Sequence, residues 1–166
     1  MPISMSCLQA CVRRSDHRTE RRRRCAFFER VLEQAMIVTP FYAGLLGLWF
    51  FVLSLRVSQH RWGQSSLGDG GDARLVRVVR GHGNFAEYTP FILLMMVMLE
   101  IDHTSIYILH GLGIALLVAR LLHGYALSFT QRWRFGRFWG AALTYSVLAI
   151  AAVLCILKGL RGFAIM

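Results

Sequence analysis

Residues 80–100, RGHGNFAEYTPFILLMMVMLE, join a polar segment to a run of apolar residues. The second part, residues 91–99, is wholly apolar, and such a run is typical of a helix that crosses a membrane. The first part carries charged and amide side chains, which are costly inside a bilayer and normally face a partner or a water-filled cavity. The stretch therefore predicts a membrane-spanning helix with a functional polar site at one end.

The composition extends this prediction to the whole chain. Of its 166 residues, 55% are hydrophobic, and the mean hydropathy is +0.47, which is too apolar for an ordinary soluble domain. A helix needs about 20 mostly apolar residues to cross a bilayer. Four stretches qualify: residues 36–57, 84–101, 105–129 and 138–157. We therefore predict an all-α membrane protein with a bundle of four transmembrane helices.

The first 35 residues differ from the rest of the chain because they are polar and strongly basic. They hold eight of the nineteen basic residues: Arg13, Arg14, Arg18, Arg21, Arg22, Arg23, Arg24 and Arg30. No context supports a nucleic-acid arm or a cleavable signal peptide, so no nucleic-acid partner is expected. We predict that residues 1–35 are a disordered or mis-assigned extension, with translation starting at Met36, and that residues 36–166 form the membrane domain.

The distribution of basic residues predicts the orientation of that domain. The loops at 56–80 and 130–137 together carry eight Lys or Arg residues, whereas the other side carries only Lys158 and Arg161 if the first 35 residues are left out. Positively charged loops stay in the cytoplasm. We therefore expect an integral inner-membrane protein, if the source is bacterial, with both of these loops cytoplasmic.

The polar residues at the start of the second span form a stripe. On a helix that turns about 100° per residue, Arg80, Asn84 and Glu87 fall at about 0°, 40° and −20°, with Tyr88 at the edge. One interpretation is structural: Arg80 neutralises Glu87 within the helix, and Asn84 bridges them. The other is a binding site, which needs further polar groups from a neighbouring helix.

The third span supplies those groups, because Arg120 and His123 are three residues apart and share one side of the helix. The turn between spans two and three is short, so the two helices should be antiparallel neighbours and their polar clusters should meet. Guanidinium groups pair with carboxylates and a glutamate pairs with an amine. The combined site suits a small anionic ligand that also carries an ammonium group.

Three segments, SLGDGGDARLVRVVR, RGHGNFAEYTP and ARLLHGY, resemble the MAPEG family, the membrane-associated proteins of eicosanoid and glutathione metabolism, in its small bacterial branch. The resemblance covers nearly all of residues 36–157. It implies a left-handed four-helix bundle that assembles as a homotrimer, with glutathione bound between subunits. By the same resemblance Glu87 holds the γ-glutamyl amine, and the implied glutathione-binding residues are Arg80, His82, Asn84, Glu87, Tyr88, Arg120 and His123.

The resemblance also implies a catalytic function, with glutathione as co-substrate. Glutathione-dependent transfer to lipophilic electrophiles, or reduction of hydroperoxides, would use a second substrate that enters from the membrane lipid. Some relatives carry a tyrosine where this chain has Leu127, so either Tyr125 takes that role in a shifted register or the hydroxyl is absent. An arginine that lowers the pKa of the thiol corresponds to Arg132 or Arg134, and the spacing does not choose between them.

Two alternatives to a glutathione-dependent enzyme remain open. A small proton-coupled multidrug-type transporter would use Glu87 as its membrane-embedded carboxylate, although Arg80 on the same face would repel a cationic substrate. A non-catalytic protein of the MAPEG fold would keep the bundle without turnover.

The histidines form no ligand set with the acidic residues, and the cysteines form no CxxC pair, so no metal is expected.

Overall fold

The computed structural model of the protein describes residues 37–62, 72–130 and 133–165. The prediction that residues 1–35 are an extension, and the catalytic prediction for Arg132, concern positions outside these ranges.

Four long helices make up the described part of the chain: α1 (Val38–Arg61), α2 (Ala73–Ile101), α3 (Ile106–Ser128) and α4 (Arg134–Ile165). Each of the four is long and apolar enough to cross a membrane. The prediction of an all-α protein with four membrane-spanning helices is therefore confirmed over these ranges.

Two helices begin earlier than the hydropathy pattern predicts. The predicted spans start at residues 84 and 138, whereas α2 starts at Ala73 and α4 at Arg134. Hydropathy marks only the part of a helix that lipid surrounds, and backbone hydrogen bonding continues beyond it. For α2 the start is set by Asp72, whose Oδ1 accepts a hydrogen bond from the Arg74 N–H at 2.7 Å, as is typical of an N-cap residue. Arg80 therefore lies well inside α2.

The core of the bundle comes from one face of each helix. α2 and α3 each pack against all three other helices, so they form the central pair. Buried residues recur at spacings of three, four or seven, which places them on one side of each helix. Large apolar side chains on the opposite faces stay exposed, as expected of a surface that contacts lipid. The core consists of Val38, Tyr42, Leu46, Leu53, Phe85, Ile92, Met95, Met96, Leu99, Leu109, Leu112, Leu116, Val147 and Ala151.

Polar contacts join the helix ends on the side opposite the candidate site. The first N–H groups of a helix have no partner within it, and in α1 those of Val38 and Thr39 donate to the two carboxylate oxygens of Glu100 at 2.8 and 2.9 Å. Lys158, in α4, forms an ion pair with Asp102 at 2.9 Å. The start of α1 therefore lies beside the end of α2, as the antiparallel arrangement requires.

The connection between α2 and α3 is a tight turn at residues 102–105. The N–H of His103 donates to the Glu100 carbonyl at 3.1 Å, and that of Thr104 donates to the Leu99 carbonyl at 3.0 Å. This pair of hydrogen bonds is a Schellman motif, which needs a left-handed residue that is usually glycine. His103 fills the position with a φ of 51°, so this turn is conformationally strained.

Candidate functional site

A cavity of about 870 Å³ opens between α2, α3 and α4 at the end of the bundle where α2 and α4 begin. Its volume lies within the range of small-molecule sites, about 300–1,000 Å³. Three guanidinium groups, one amide and one imidazole belong to its lining, and no carboxylate does. The lining residues are Arg80, Asn84, His123, Leu127, Arg134, Phe135, Arg137, Phe138 and Ala141.

Arg134 and Arg137 contribute two of the guanidinium groups from the first turn of α4. They are three residues apart, so their side chains leave the helix on the same side. Because a helix N-terminus carries a partial positive charge, α4 adds to the positive potential of this cavity. The first turn of α4 and Arg80 of α2 therefore place positive charge around the cavity, which is chemically suited to an anion.

Arg120 joins three helices behind this cavity. Only 2% of its surface is exposed. Its guanidinium donates to the Asn84 side-chain oxygen at 2.9 Å and to the Asn84 backbone carbonyl at 3.3 Å, and it also donates to the Thr144 hydroxyl. The predicted meeting of the polar clusters of α2 and α3 is therefore confirmed. Arg120 itself is not among the residues that line the cavity.

His123 lines the cavity with its ring in a defined orientation. Its Nδ1 lies 3.2 Å from the backbone carbonyl oxygen of Arg137. A carbonyl only accepts hydrogen bonds, so Nδ1 carries the proton and the neutral ring has its lone pair on Nε2. Gly140 brings α4 close to this position, since a Cβ there would lie 2.7 Å from the His123 backbone nitrogen. Contact between the two backbones thus fixes His123 against α4.

The polar stripe of α2 is divided between the cavity and the outer surface. Arg80 and Asn84 line the cavity, whereas Glu87 is exposed and is not part of the lining. Arg80 and Glu87, both within the described ranges, form no salt bridge with each other. The purely structural interpretation, an ion pair within the helix, is therefore wrong for a single chain.

Tyr88 lies next to the cavity without lining it, and its ring contacts side chains from α3 and α4. Its ring centroid lies 5.6 Å from that of Tyr145 on α4. The guanidinium carbon of Arg120 lies 6.0 Å from the Tyr88 ring centroid, a distance typical of the outer limit of a cation–π contact. The predicted contact of Tyr88 with glutathione stays a prediction.

His82 faces α1 and not the cavity. Its ring stacks on Phe50 with the centroids 4.6 Å apart, and its Nε2 lies 3.1 Å from the Ser54 hydroxyl oxygen. These contacts give His82 a packing role between α1 and α2. They do not support the predicted contact with glutathione.

Tyr125 lies on the other side of α3 from His123, because two residues correspond to about 200° of helical rotation. Its ring stacks on Phe129 at 5.3 Å and meets Trp133 edge to face at 5.9 Å. It lines a separate apolar cavity of about 340 Å³, together with Trp49, Leu121, Leu122 and Trp133. Of the predicted catalytic residues within the described ranges, only Arg134 reaches the larger cavity.

The structure adds Arg137 and Thr144 to the residues found from the sequence. Arg137 was missed because the predicted fourth span begins one residue after it. Its three-residue spacing from Arg134 is the signal that could have revealed it. Thr144 is one of many apolar or weakly polar positions in the fourth span, and nothing in the sequence distinguishes it.

Comparison with known proteins agrees with this architecture. A model of the MAPEG family matches residues 39–157, which is more than half of the chain. The chain belongs to the MAPEG family. It is similar to the inner membrane protein YecN of Escherichia coli strain K12 and to that of strain O6:H1, each 34% identical over 100 residues. The aligned region covers 59% of this chain and 76% of each relative. This membrane protein of the MAPEG family therefore carries its charged cavity inside the region that defines the family.

Proposed function

We propose that this MAPEG protein binds glutathione in the cavity between α2, α3 and α4, and uses it as co-substrate for a lipophilic electrophile or hydroperoxide. One observation carries the proposal: three guanidinium groups and the amide of Asn84 line a cavity of about 870 Å³ at one end of a membrane bundle. Glutathione offers two carboxylates, one thiol and one ammonium group to such a site.

The arginines are available for this ligand. Arg80, Arg134 and Arg137 form no ion pair with any carboxylate of the described residues. An arginine pairs with a carboxylate through two parallel hydrogen bonds, which fixes both position and orientation. With two carboxylates held by two arginines, the third guanidinium is left for the thiol.

Activation of the thiol follows from that third guanidinium. A free thiol has a pKa of about 8.5, so only a small fraction is thiolate at neutral pH, and the thiolate is the nucleophile. A neighbouring positive charge favours the thiolate and lowers the pKa of the thiol. Arg134 and Arg137 are the described candidates, and Arg132 stays a sequence prediction. The thiolate then attacks an electrophile that reaches the site from the bilayer, so that a carbon–sulfur bond forms while the bond to the leaving group breaks. With a hydroperoxide, a sulfur–oxygen bond forms as the O–O bond breaks and the alcohol leaves, and a second glutathione then displaces water to give the disulfide.

Assembly as a homotrimer is part of this proposal, because the α2 face is incomplete in one chain. Glu87 is exposed, yet it lies about 21 Å from the opposite end of α2, at about 1.5 Å per residue. A hydrocarbon core of about 30 Å would enclose it, at a cost of about 2.5–3.5 kcal/mol for an ionisable group facing lipid. We infer that a neighbouring copy covers this face and extends the cavity to Glu87, so that one glutathione between subunits contacts the arginines with its carboxylates and Glu87 with its ammonium group.

The proposed location is the bacterial inner membrane, with the loops at 56–80 and 130–137 in the cytoplasm. The name of the YecN relatives supports the location, and the eight basic residues of these loops support the orientation. The cavity then opens toward the cytoplasm, where glutathione is dissolved. Its guanidinium groups repel cations, so the alternative of a multidrug-type transporter gains no support.

The decisive experiment is a titration of the detergent-purified protein with glutathione, followed by calorimetry and by the ultraviolet absorbance of the thiolate. We expect saturable binding and a thiolate band. Binding without the band indicates a non-catalytic MAPEG-fold protein, and no binding removes the proposal. Glu87→Gln should weaken binding, and unchanged affinity would rule out the contact between Glu87 and the amine.

A further inference from the structure

Thr144 belongs to a chain of hydrogen bonds that connects Asn84 on α2, Arg120 on α3 and α4. It is 0% exposed, and its hydroxyl donates to the Gly140 carbonyl in α4 at 2.7 Å. A hydroxyl has one proton and two lone pairs. With the proton committed to Gly140, the Thr144 oxygen is the acceptor for the guanidinium of Arg120.

The same guanidinium decides how the side-chain amide of Asn84 is turned. Arginine only donates hydrogen bonds, so the amide atom at 2.9 Å from its NH1 is the oxygen. The NH₂ group of Asn84 therefore points away from Arg120. Because Asn84 also lines the cavity, this NH₂ group is the part of the amide that a ligand can contact.

Arg120 needs a second anchor to hold Asn84 in this way. The guanidinium sits on a long, flexible side chain, is almost fully buried and has no ion pair with a carboxylate of the described residues. Its Nε already lacks a hydrogen-bond partner. If the Thr144 acceptor were removed, a second buried donor would be left unsatisfied, which is costly. The guanidinium would then turn toward other acceptors and release the Asn84 oxygen.

We propose that Thr144 is a positioning residue which, through Arg120, makes Asn84 present its NH₂ group to a carboxylate of the ligand. A released amide presents either its NH₂ group or its oxygen, and the oxygen repels a carboxylate. Thr144 thus helps to make the cavity selective for anions, although it does not line it. The identity of the ligand as glutathione rests on the proposed function.

Two substitutions at this position separate the hydroxyl from the shape of the side chain. Thr144→Val keeps the shape and removes the acceptor, whereas Thr144→Ser keeps the hydroxyl. We expect Thr144→Val to weaken glutathione binding about tenfold, as for one lost hydrogen bond to a charged group, and Thr144→Ser to stay within about twofold. Equal affinity of wild type and Thr144→Val would overturn the proposal.

A direct readout exists because Asn84 is the only asparagine in the chain. Labelling with ¹⁵N-asparagine gives a single side-chain NH₂ signal pair in the nuclear magnetic resonance spectrum of the detergent-solubilised protein. Without ligand, Thr144→Val should shift and broaden this pair, and Thr144→Ser should leave it near the wild-type position. An unchanged pair in Thr144→Val would contradict the proposal even if glutathione did not bind, so its failure is distinguishable from failure of the proposed function.

Ligand analogues distinguish positioning from general loss of structure. Glutathione glycine ethyl ester and 4-aminobutyryl-cysteinyl-glycine each lack one of the two carboxylates. For the analogue that lacks the carboxylate held by Asn84, Thr144→Val and wild type should bind equally. An equal weakening for glutathione and for both analogues would show a merely structural effect and overturn the proposal.

A second variant keeps the proposal testable if Thr144→Val does not fold. Asn84→Asp retains an oxygen for Arg120 but replaces the NH₂ group by a second oxygen. We expect it to fold with wild-type helicity and to bind glutathione more than tenfold more weakly. Wild-type affinity in Asn84→Asp would show that no ligand carboxylate contacts the amide, which overturns the proposal.

Discussion

The close approach of α3 and α4 at Gly140 gives the sharpest test of the packing that shapes the cavity. A Cβ at this position would lie 2.7 Å from the His123 backbone nitrogen, 2.8 Å from the His123 Cβ and 2.9 Å from the Ala119 carbonyl oxygen. Comfortable contacts between such atoms are about 3.5–4.0 Å. Since two of the three opposing atoms belong to the backbone of α3, Gly140→Ala requires the helices to separate by about 1 Å.

The energetic cost of this separation has two opposing parts. Overpacking of this kind costs about 1–3 kcal/mol, and the hydrogen bond from His123 to the Arg137 carbonyl, now 3.2 Å, would stretch beyond a useful length at a further cost of about 0.5–1.5 kcal/mol. Replacing glycine by alanine inside a helix returns about 0.5–1 kcal/mol. The steric cost dominates, so we expect Gly140→Ala to lower the free energy of unfolding by about 1–3 kcal/mol.

Gly159 provides the matched control, because it lies in the same helix and a Cβ there would meet nothing within 4 Å. Gly159→Ala should therefore raise the free energy of unfolding by up to about 1 kcal/mol. The assay is unfolding in mixed micelles with increasing sodium dodecyl sulfate, followed by helical circular dichroism. If Gly140→Ala proves as stable as Gly159→Ala, the close approach of α3 and α4 at the cavity is refuted.

Three further predictions concern single contacts. Glu100→Gln should lower the free energy of unfolding by about 1–2 kcal/mol in the same assay, since an amide gives the N–H groups of α1 only one acceptor. The control Asp102→Asn loses an exposed ion pair and should lower the free energy of unfolding by less than about 1 kcal/mol. Similar losses in the two variants would contradict the capping role of Glu100. His103→Gly should raise the free energy of unfolding by about 0.5–1 kcal/mol, because glycine adopts the positive φ of 51° without strain. A lower free energy of unfolding would show that contacts of the imidazole stabilise the turn by more than the strain destabilises it. Arg137→Gln should weaken glutathione binding at least tenfold in calorimetry. Arg74→Gln, at an exposed position outside the cavity, should leave the affinity unchanged. Equal effects of the two substitutions would mean that binding depends only on net charge.

The membrane-spanning architecture was predictable because it depends on the length and hydropathy of segments. Four apolar runs of adequate length gave four helices, and the short turn before Ser105 made α2 and α3 antiparallel neighbours. That arrangement alone was enough to bring Asn84 and Arg120 together, and the structure shows their hydrogen bond at 2.9 Å. The pairing of these two polar clusters followed from chain direction and needed no detail of side-chain packing.

The division of the polar residues between cavity, core and surface was not predictable in the same way. A helical projection places Arg80 and Glu87 on one face, but it does not say how far along that face a neighbouring helix reaches. Ala141 is the last residue of α4 that lines the cavity. The polar stripe on α2 therefore faces the cavity only at Arg80 and Asn84. The packing of His82 was not predictable for a related reason, since its stacking on Phe50 depends on where α1 lies.

The start of α4 was the second gap, and it had functional consequences. Hydropathy placed the fourth span after Arg137, which left both arginines of this segment in a loop. The structure extends the helix back to Arg134, and only on a helix do these two residues acquire a common direction. Where a helix begins depends on capping and packing, which a hydropathy window does not contain.

The arginine cluster links the stability of the bundle to its ligand. Arg80, Arg134 and Arg137 surround one cavity without a carboxylate among its lining residues, so the empty site holds like charges that repel one another. An anion that binds only the folded protein relieves this repulsion and adds about 2.7 kcal/mol of stability at a hundredfold excess over its Kd. Arg137→Gln should therefore stabilise the empty protein while it weakens binding, because the backbone carbonyl that holds His123 is retained. An arginine with a purely structural role would lose stability on substitution, so the signs of the two effects distinguish a binding group from part of the scaffold.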